Sequence, residues 1–172
     1  MRKIITGMFL LLIASSAKTQ AQAPTAATDI TAAQVQAFIK GAPQDRNSDR
    51  PMRVVDAGGY RVGIFGVFRP KGTPPNATMH QTNVAEVYYV LEGAGMLVTG
   101  GTLKKPATPR ASNLGNWTDV AGDGIDGGVS RRVAKGDVII IPGGVPHGWA
   151  SQEGDVTYLI VRPDPDKKLS LK

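Results

Sequence analysis

The chain has 172 residues, with 20 basic against 14 acidic, two histidines and no cysteine. Without cysteine it holds neither a disulfide nor an acylated lipoprotein anchor, so an ordinary hydrophobic core must stabilise it. The formal charge of +6 is scattered, paired beyond Arg2-Lys3 only at Lys104-Lys105, Arg131-Arg132 and Lys167-Lys168, and without an aromatic-interleaved basic stripe nucleic-acid binding has little support.

Met1-Arg2-Lys3, the uncharged run IITGMFLLLIA and the small, polar SSAKTQAQA make the pattern of a cleaved secretory signal. It is read over residues 1–21, with cleavage after Ala17 or Ala21. The apolar run is too short to span a bilayer comfortably. No membrane partner is expected once the signal is removed, and the predicted location is periplasmic or secreted. Cleavage after Ala21 removes Arg2, Lys3 and Lys18 and leaves 17 basic residues against 14 acidic ones.

Residues 22–50 read as a leader and one short helix. In ITAAQVQAFIKG, Thr31 is placed to cap the helix, with Gln34 completing a capping box and Gly41 ending it. Val35, Phe38 and Ile39 form a narrow apolar face that predicts packing on the outside of something larger. APQDRNSDRP, which follows, reads as a polar connector.

Residues 51–165 read as one all-β domain, with 166–172 as a polar tail. Short segments rich in Val, Ile, Tyr and Phe, broken by glycine and proline, predict strands near 52–56, 60–69, 78–82, 85–91, 95–99, 129–133, 137–141, 147–150 and 155–162. That many short strands with one helix indicates an antiparallel sandwich or barrel. Residues 100–128 have few core formers and read as a long loop. Its Asp119, Asp123 and Asp126 lack the spacing of a calcium loop and are read as turn formers.

Both histidines fall in patterned stretches. HQTNVAEVYYVLEG places His80 six residues before Glu86, with Gly93 seven further on. GDVIIIPGGVPHGWA runs from Gly136 through Pro142 and Gly144 to His147. Together these stretches resemble the two motifs of the cupin superfamily, with three departures. Seven rather than five residues separate Gly72 from His80, Ser151 replaces a final asparagine, and Thr82 occupies the place of the first motif's second histidine.

The resemblance implies a double-stranded β-helix, or jelly-roll barrel, holding one divalent metal ion (iron, zinc, manganese or nickel) on His80, Glu86 and His147. Two imidazoles and a carboxylate leave open coordination positions, which suits catalytic chemistry. Thr82 is expected to face the metal and leave room for a water or a substrate oxygen. Tyr88 shares the Glu86 face, because alternate strand residues point the same way. Tyr88 and Trp149 are candidates to line a substrate pocket, with barrel core as the alternative, and Glu86 and Tyr88 are the candidate catalytic groups. Arg162 either meets a substrate carboxylate or closes the last strand at the surface.

The opposite face of the same strand, Val87, Tyr89 and Leu91, is also apolar and needs a cover, either the helix or a second subunit. A homodimer is therefore expected. Two functions fit: a metal-dependent enzyme acting on a small oxygenated molecule (lyase, isomerase, decarboxylase or dioxygenase), or a non-catalytic ligand- or metal-binding protein.

Overall fold

Thirteen antiparallel strands arise where β-branched and aromatic residues alternate between glycine and proline turns. They were located in a computed structural model that describes residues 26–172; the signal segment and the start of the leader lie outside the described residues. The strands are β1 (Ser48–Asp56), β2 (Arg61–Arg69), β3 (Asn76–Gln81), β4 (Glu86–Glu92), β5 (Ala94–Thr99), β6 (Thr102–Lys104) and β7 (Arg110–Ala111). They continue as β8 (Thr118–Gly122), β9 (Gly124–Asp126), β10 (Val129–Ala134), β11 (Val138–Ile141), β12 (His147–Gln152) and β13 (Val156–Asp164). One sheet runs β1-β2-β13-β4-β11, the facing sheet runs β10-β5-β12-β3-β8-β7, and β6-β9 form a small ribbon. With one short helix, this is the expected jelly-roll barrel.

Between the sheets lie Phe65, Val67, Val90, Leu97, Val156 and Ile160, all essentially without exposure. Each such side chain contributes roughly 1.5–3 kcal/mol by leaving water. The predicted helix is α1 (Ala32–Lys40), and Thr31 with Gln34 forms the capping box read from the sequence. Its apolar face packs outside the barrel on β2, where Gly66 makes the approach possible: a Cβ there would lie 2.8 Å from the Phe38 ring. Arg50 fastens the helix from below, donating to the Phe38 carbonyl at 2.9 Å with its guanidinium 4.5 Å over that ring.

Three stretches differ from their sequence reading. The last four residues of the polar connector already belong to the sheet, because β1 begins at Ser48 and tolerates Pro51 as an edge strand with a bulge between Pro51 and Arg53. Residues 100–128 are not a plain loop: β8 pairs with β3, with His80 opposite Asp119. The segment from 166 onward folds back rather than trailing. Leu169 is fully buried, the Asp164 carboxylate accepts from the Lys168 and Leu169 amides, and Lys172 pairs with Val54 through the backbone. Its lysines masked one apolar anchor.

The alternation on β4 places Glu86, Tyr88 and Val90 inward. On its outer face α1 reaches only one end, where Val35 and Ile39 share a groove with Leu91. Tyr89 stays 46% exposed, beside Val138 and Ile140 of β11 at 61% and 71%.

Candidate metal centre

Both sheets contribute to the same point inside the barrel: His80 from β3 and His147 from the adjacent β12 meet Glu86 from β4 of the facing sheet. One ligand atom from each lies within 4.8 Å of the others. His147 Nε2 is 3.1 Å from Glu86 Oε2, and His80 Nε2 is 3.6 Å from Oε1.

What lies behind each imidazole fixes which nitrogen faces inward. His147 Nδ1 sits 2.9 Å from the Val145 carbonyl, which can only accept, so Nδ1 carries the proton there. His80 Nδ1 lies 2.6 Å from Asp119 Oδ1, with the same consequence. Both Nε2 atoms therefore converge on the Glu86 carboxylate. Two imidazoles oriented by outer acceptors, plus one carboxylate, is the donor set of a divalent metal site. The cluster is compatible with such an ion.

The charges are arranged to keep Glu86 ionised. Burial alone would raise its pKa, but Arg162 and the two histidines outweigh this and hold it well below the usual carboxylate range. Arg162 donates to Oε1 from both Nε (2.9 Å) and Nη2 (2.6 Å). It also grips Asp49 through Nη1 (3.1 Å) and Nη2 (2.6 Å). Arg162 is thus neither a surface closure nor free for a substrate. It is 1% exposed and its two carboxylates raise its pKa against the effect of burial.

Thr82 also departs from expectation. β3 ends at Gln81, so strand alternation does not carry to residue 82. Its hydroxyl accepts from the Val84 amide at 3.3 Å in the turn, and Thr82 does not line the central cavity. The cavity-lining neighbour of His80 on β3 is Thr78. Tyr88 does line the cavity, and its hydroxyl donates to Glu86 Oε2 at 3.1 Å. Burial first, then the Glu86 charge, pushes its pKa well above the ordinary phenol value, so it is a neutral donor. Trp149 meets both of its readings, being 3% exposed and part of the cavity wall.

Asp49, Thr78 and Asp119 were missed by sequence reasoning. For Asp119 the available signal was Trp117, an aromatic two residues earlier in a segment poor in core formers. Trp117 Nε1 donates to Asp119 Oδ1 at 2.9 Å. Burial would raise the pKa of Asp119, but hydrogen bonds led by that from His80 lower it instead. Asp119→Asn should weaken metal affinity about 10–100-fold, the usual cost of losing an outer carboxylate, in a chelator-competition titration. Unchanged affinity would mean that His80 is oriented without it.

The family model described as Cupin matches residues 67–170. No curated protein matches the sequence. Among solved structures, the chain is similar to the DMSP lyase DddQ from Ruegeria pomeroyi, at 17% identity over 90% of this chain and 73% of that one, with a TM-score of 0.49. It is similar to a conserved protein with a double-stranded beta-helix domain from Klebsiella pneumoniae, at 14% identity over 84% and 97% of the two chains and a TM-score of 0.47. A third similarity is to KdgF from a Halomonas species, at 15% identity, 65% and 76% coverage and a TM-score of 0.41.

Proposed function

The chain belongs to the cupin family, and from that premise we propose that it is a metal-dependent enzyme acting on a small oxygenated molecule by lyase, isomerase or decarboxylase chemistry. The observation that carries this reading is the convergence of both Nε2 atoms on a buried, ionised Glu86. A divalent ion, when bound there, would polarise a carbonyl or hydroxyl oxygen of the substrate. His80, Glu86 and His147 would hold it, and Asp119 and the Val145 carbonyl keep the imidazoles aimed. Tyr88 holds a proton on its hydroxyl beside Glu86, in position to stabilise negative charge developing on a substrate oxygen. Trp149 and Tyr158 form the aromatic part of the cavity wall. The cavity, about 330 Å³, suits a small metabolite.

One observation favours binding without turnover. Glu86 Oε1 is taken twice by Arg162, and Oε2 by Tyr88 and His147, so the cluster offers no idle carboxylate base. Metal-loaded protein should convert one member of a panel of hydroxy and oxo acids. Saturable binding of panel members with no conversion by loaded protein would favour the non-catalytic reading.

Export and self-association belong to the same proposal. Protein recovered from outside the cytoplasm should begin at Lys18 or Gln22 by intact-mass measurement; an unprocessed Met1 would remove the signal. On β4 and the edge strand β11, Val87 pairs with Ile140 and Tyr89 with Val138. Three of these four outward side chains are largely exposed. A second copy packed face to face on these strands would cover this apolar patch symmetrically. Light scattering should report a dimer, and Ile140→Lys a monomer; a wild-type monomer contradicts the arrangement.

A further inference from the structure

Arg69, at the end of β2, is 2% exposed, and among the described residues no carboxylate lies within ion-pair distance of it. Its Nη2 donates to Asn76 Oδ1 at 2.6 Å and to the Pro74 carbonyl at 3.4 Å. Its Nε meets the Gln152 amide oxygen in the orientation that also lets that amide donate to the Thr73 carbonyl. All of these acceptors are neutral, and Nη1 has none among the described residues. Arg162, by contrast, is balanced by two carboxylates. A buried cation without a counter-charge is unfavourable, and burial accordingly lowers the pKa of Arg69.

Arg69 lines the same cavity as the His80–Glu86–His147 cluster, at its other end. Val67 is opposite Tyr158 in the sheet, and Arg69 lies one strand repeat beyond, opposite Val156. The Tyr158 ring is 4.8 Å from Tyr88 and 5.6 Å from Trp149, so an aromatic wall connects the two ends. Trp149 Nε1 is buried and makes no hydrogen bond of good geometry, the nearby Tyr158 hydroxyl being poorly placed to accept it. One cavity thus holds a guanidinium with no carboxylate in ion-pair range and an indole donor with no well-formed hydrogen bond.

We propose that Arg69 is a carboxylate subsite. The cavity takes a small monoanionic carboxylate, which sits on Arg69 between Trp149 and Tyr158 while its other oxygen function reaches toward the histidine cluster. One guanidinium balances one negative charge, and Asp49, Glu86 and Asp119 already line the cavity, so a dianionic phosphate would carry an uncompensated charge. The assignment rests on reading this cavity as a small-molecule site, but it does not require the metal.

The test uses metal-stripped, isotope-labelled protein, in which the indole N–H resonances of Trp117 and Trp149 are told apart by Trp149→Phe. Acetate should shift the Trp149 resonance saturably, and its neutral isostere acetamide should not. Arg69→Met should lose the acetate response, and Arg69→Lys, which keeps the charge without the fork, should bind acetate at least about tenfold more weakly. Inorganic phosphate should bind more weakly than acetate. An equal response to acetamide, an acetate response that survives Arg69→Met, or tighter phosphate binding would each overturn the proposal. Should Arg69→Met not fold, the wild-type comparison of the three probes with the Arg69→Lys affinity decides. Metal retention by Arg69→Met, measured by elemental analysis, should match wild type; failure of wild type itself to retain metal would sink the metal reading and leave the acetate result intact.

Discussion

His147→Ala loses stoichiometric metal while the barrel remains folded. The imidazole is one of three protein donors, and its removal should weaken binding well beyond the roughly 10–100-fold that loss of an outer partner costs. The barrel survives because the packed core around Phe65, Leu97 and Ile160 does not include the cluster. Glu86→Gln should behave alike, since Arg162 keeps Asp49 as its counter-charge. Elemental analysis after dialysis, with circular dichroism as the fold control, decides it. Full metal content in both variants would place the ion elsewhere. Proton competition gives a second reading of the same site. Burial opposes charging of His147, but the Glu86 carboxylate outweighs it and raises its pKa. Lowering the pH therefore puts a proton where the metal would bind, and occupancy should fall.

Arg162→Met, in metal-stripped protein, should cost about 3–5 kcal/mol, because it leaves Glu86 and Asp49 without the cation between them. Against a total stability of roughly 5–15 kcal/mol, that is a large fraction. The melting temperature should drop on the order of 10 °C, at about 2–4 °C per kcal/mol for a domain of this size. The deficit should depend on pH, with a definite sign. In the wild type the Glu86 pKa is depressed, so its contribution is present above the unfolded value and lost as pH falls through the folded one. In the variant, burial acts with less opposition and the folded pKa rises. The difference between the two proteins should shrink on acidification, in urea titrations run at neutral and acidic pH. A deficit that stays constant, or grows, on acidification would mean that Glu86 is not the charge at stake. Adding Asp49→Asn should recover part of the loss, a coupling that the double-mutant cycle measures.

The barrel was legible because its strands announce themselves by β-branched alternation and glycine turns, and the capping box of α1 is a purely local signal. His80, Glu86 and His147 were legible because motif spacing survives where overall identity does not. Their supports were hidden for separate physical reasons. Arg162 reads as a surface cation because charge near a strand end normally is one; only its shared face with Tyr158 and Ile160 signalled the interior. Asp49 sat beyond a proline that ends most strands but not an edge one. Asp119 lay in a segment too polar to suggest a strand, held by pairing with β3 that no local pattern encodes. Thr82 failed in the opposite direction, since alternation was extended past the point where the strand stops.

The place of β13 in its sheet has a consequence for how the chain is made. This strand, the furthest along the sequence, lies in the middle of five, between β2 and β4. Until residues 156–164 leave the ribosome, β2 and β4 have no common neighbour, and the sheet is two unsealed halves. The core cannot close during synthesis, and a chain interrupted before residue 156 would expose two long apolar edges to other chains. For a chain that we propose crosses a membrane before it folds, late closure is an asset: translocation meets an open polypeptide, and the last strand to arrive locks the barrel on the far side.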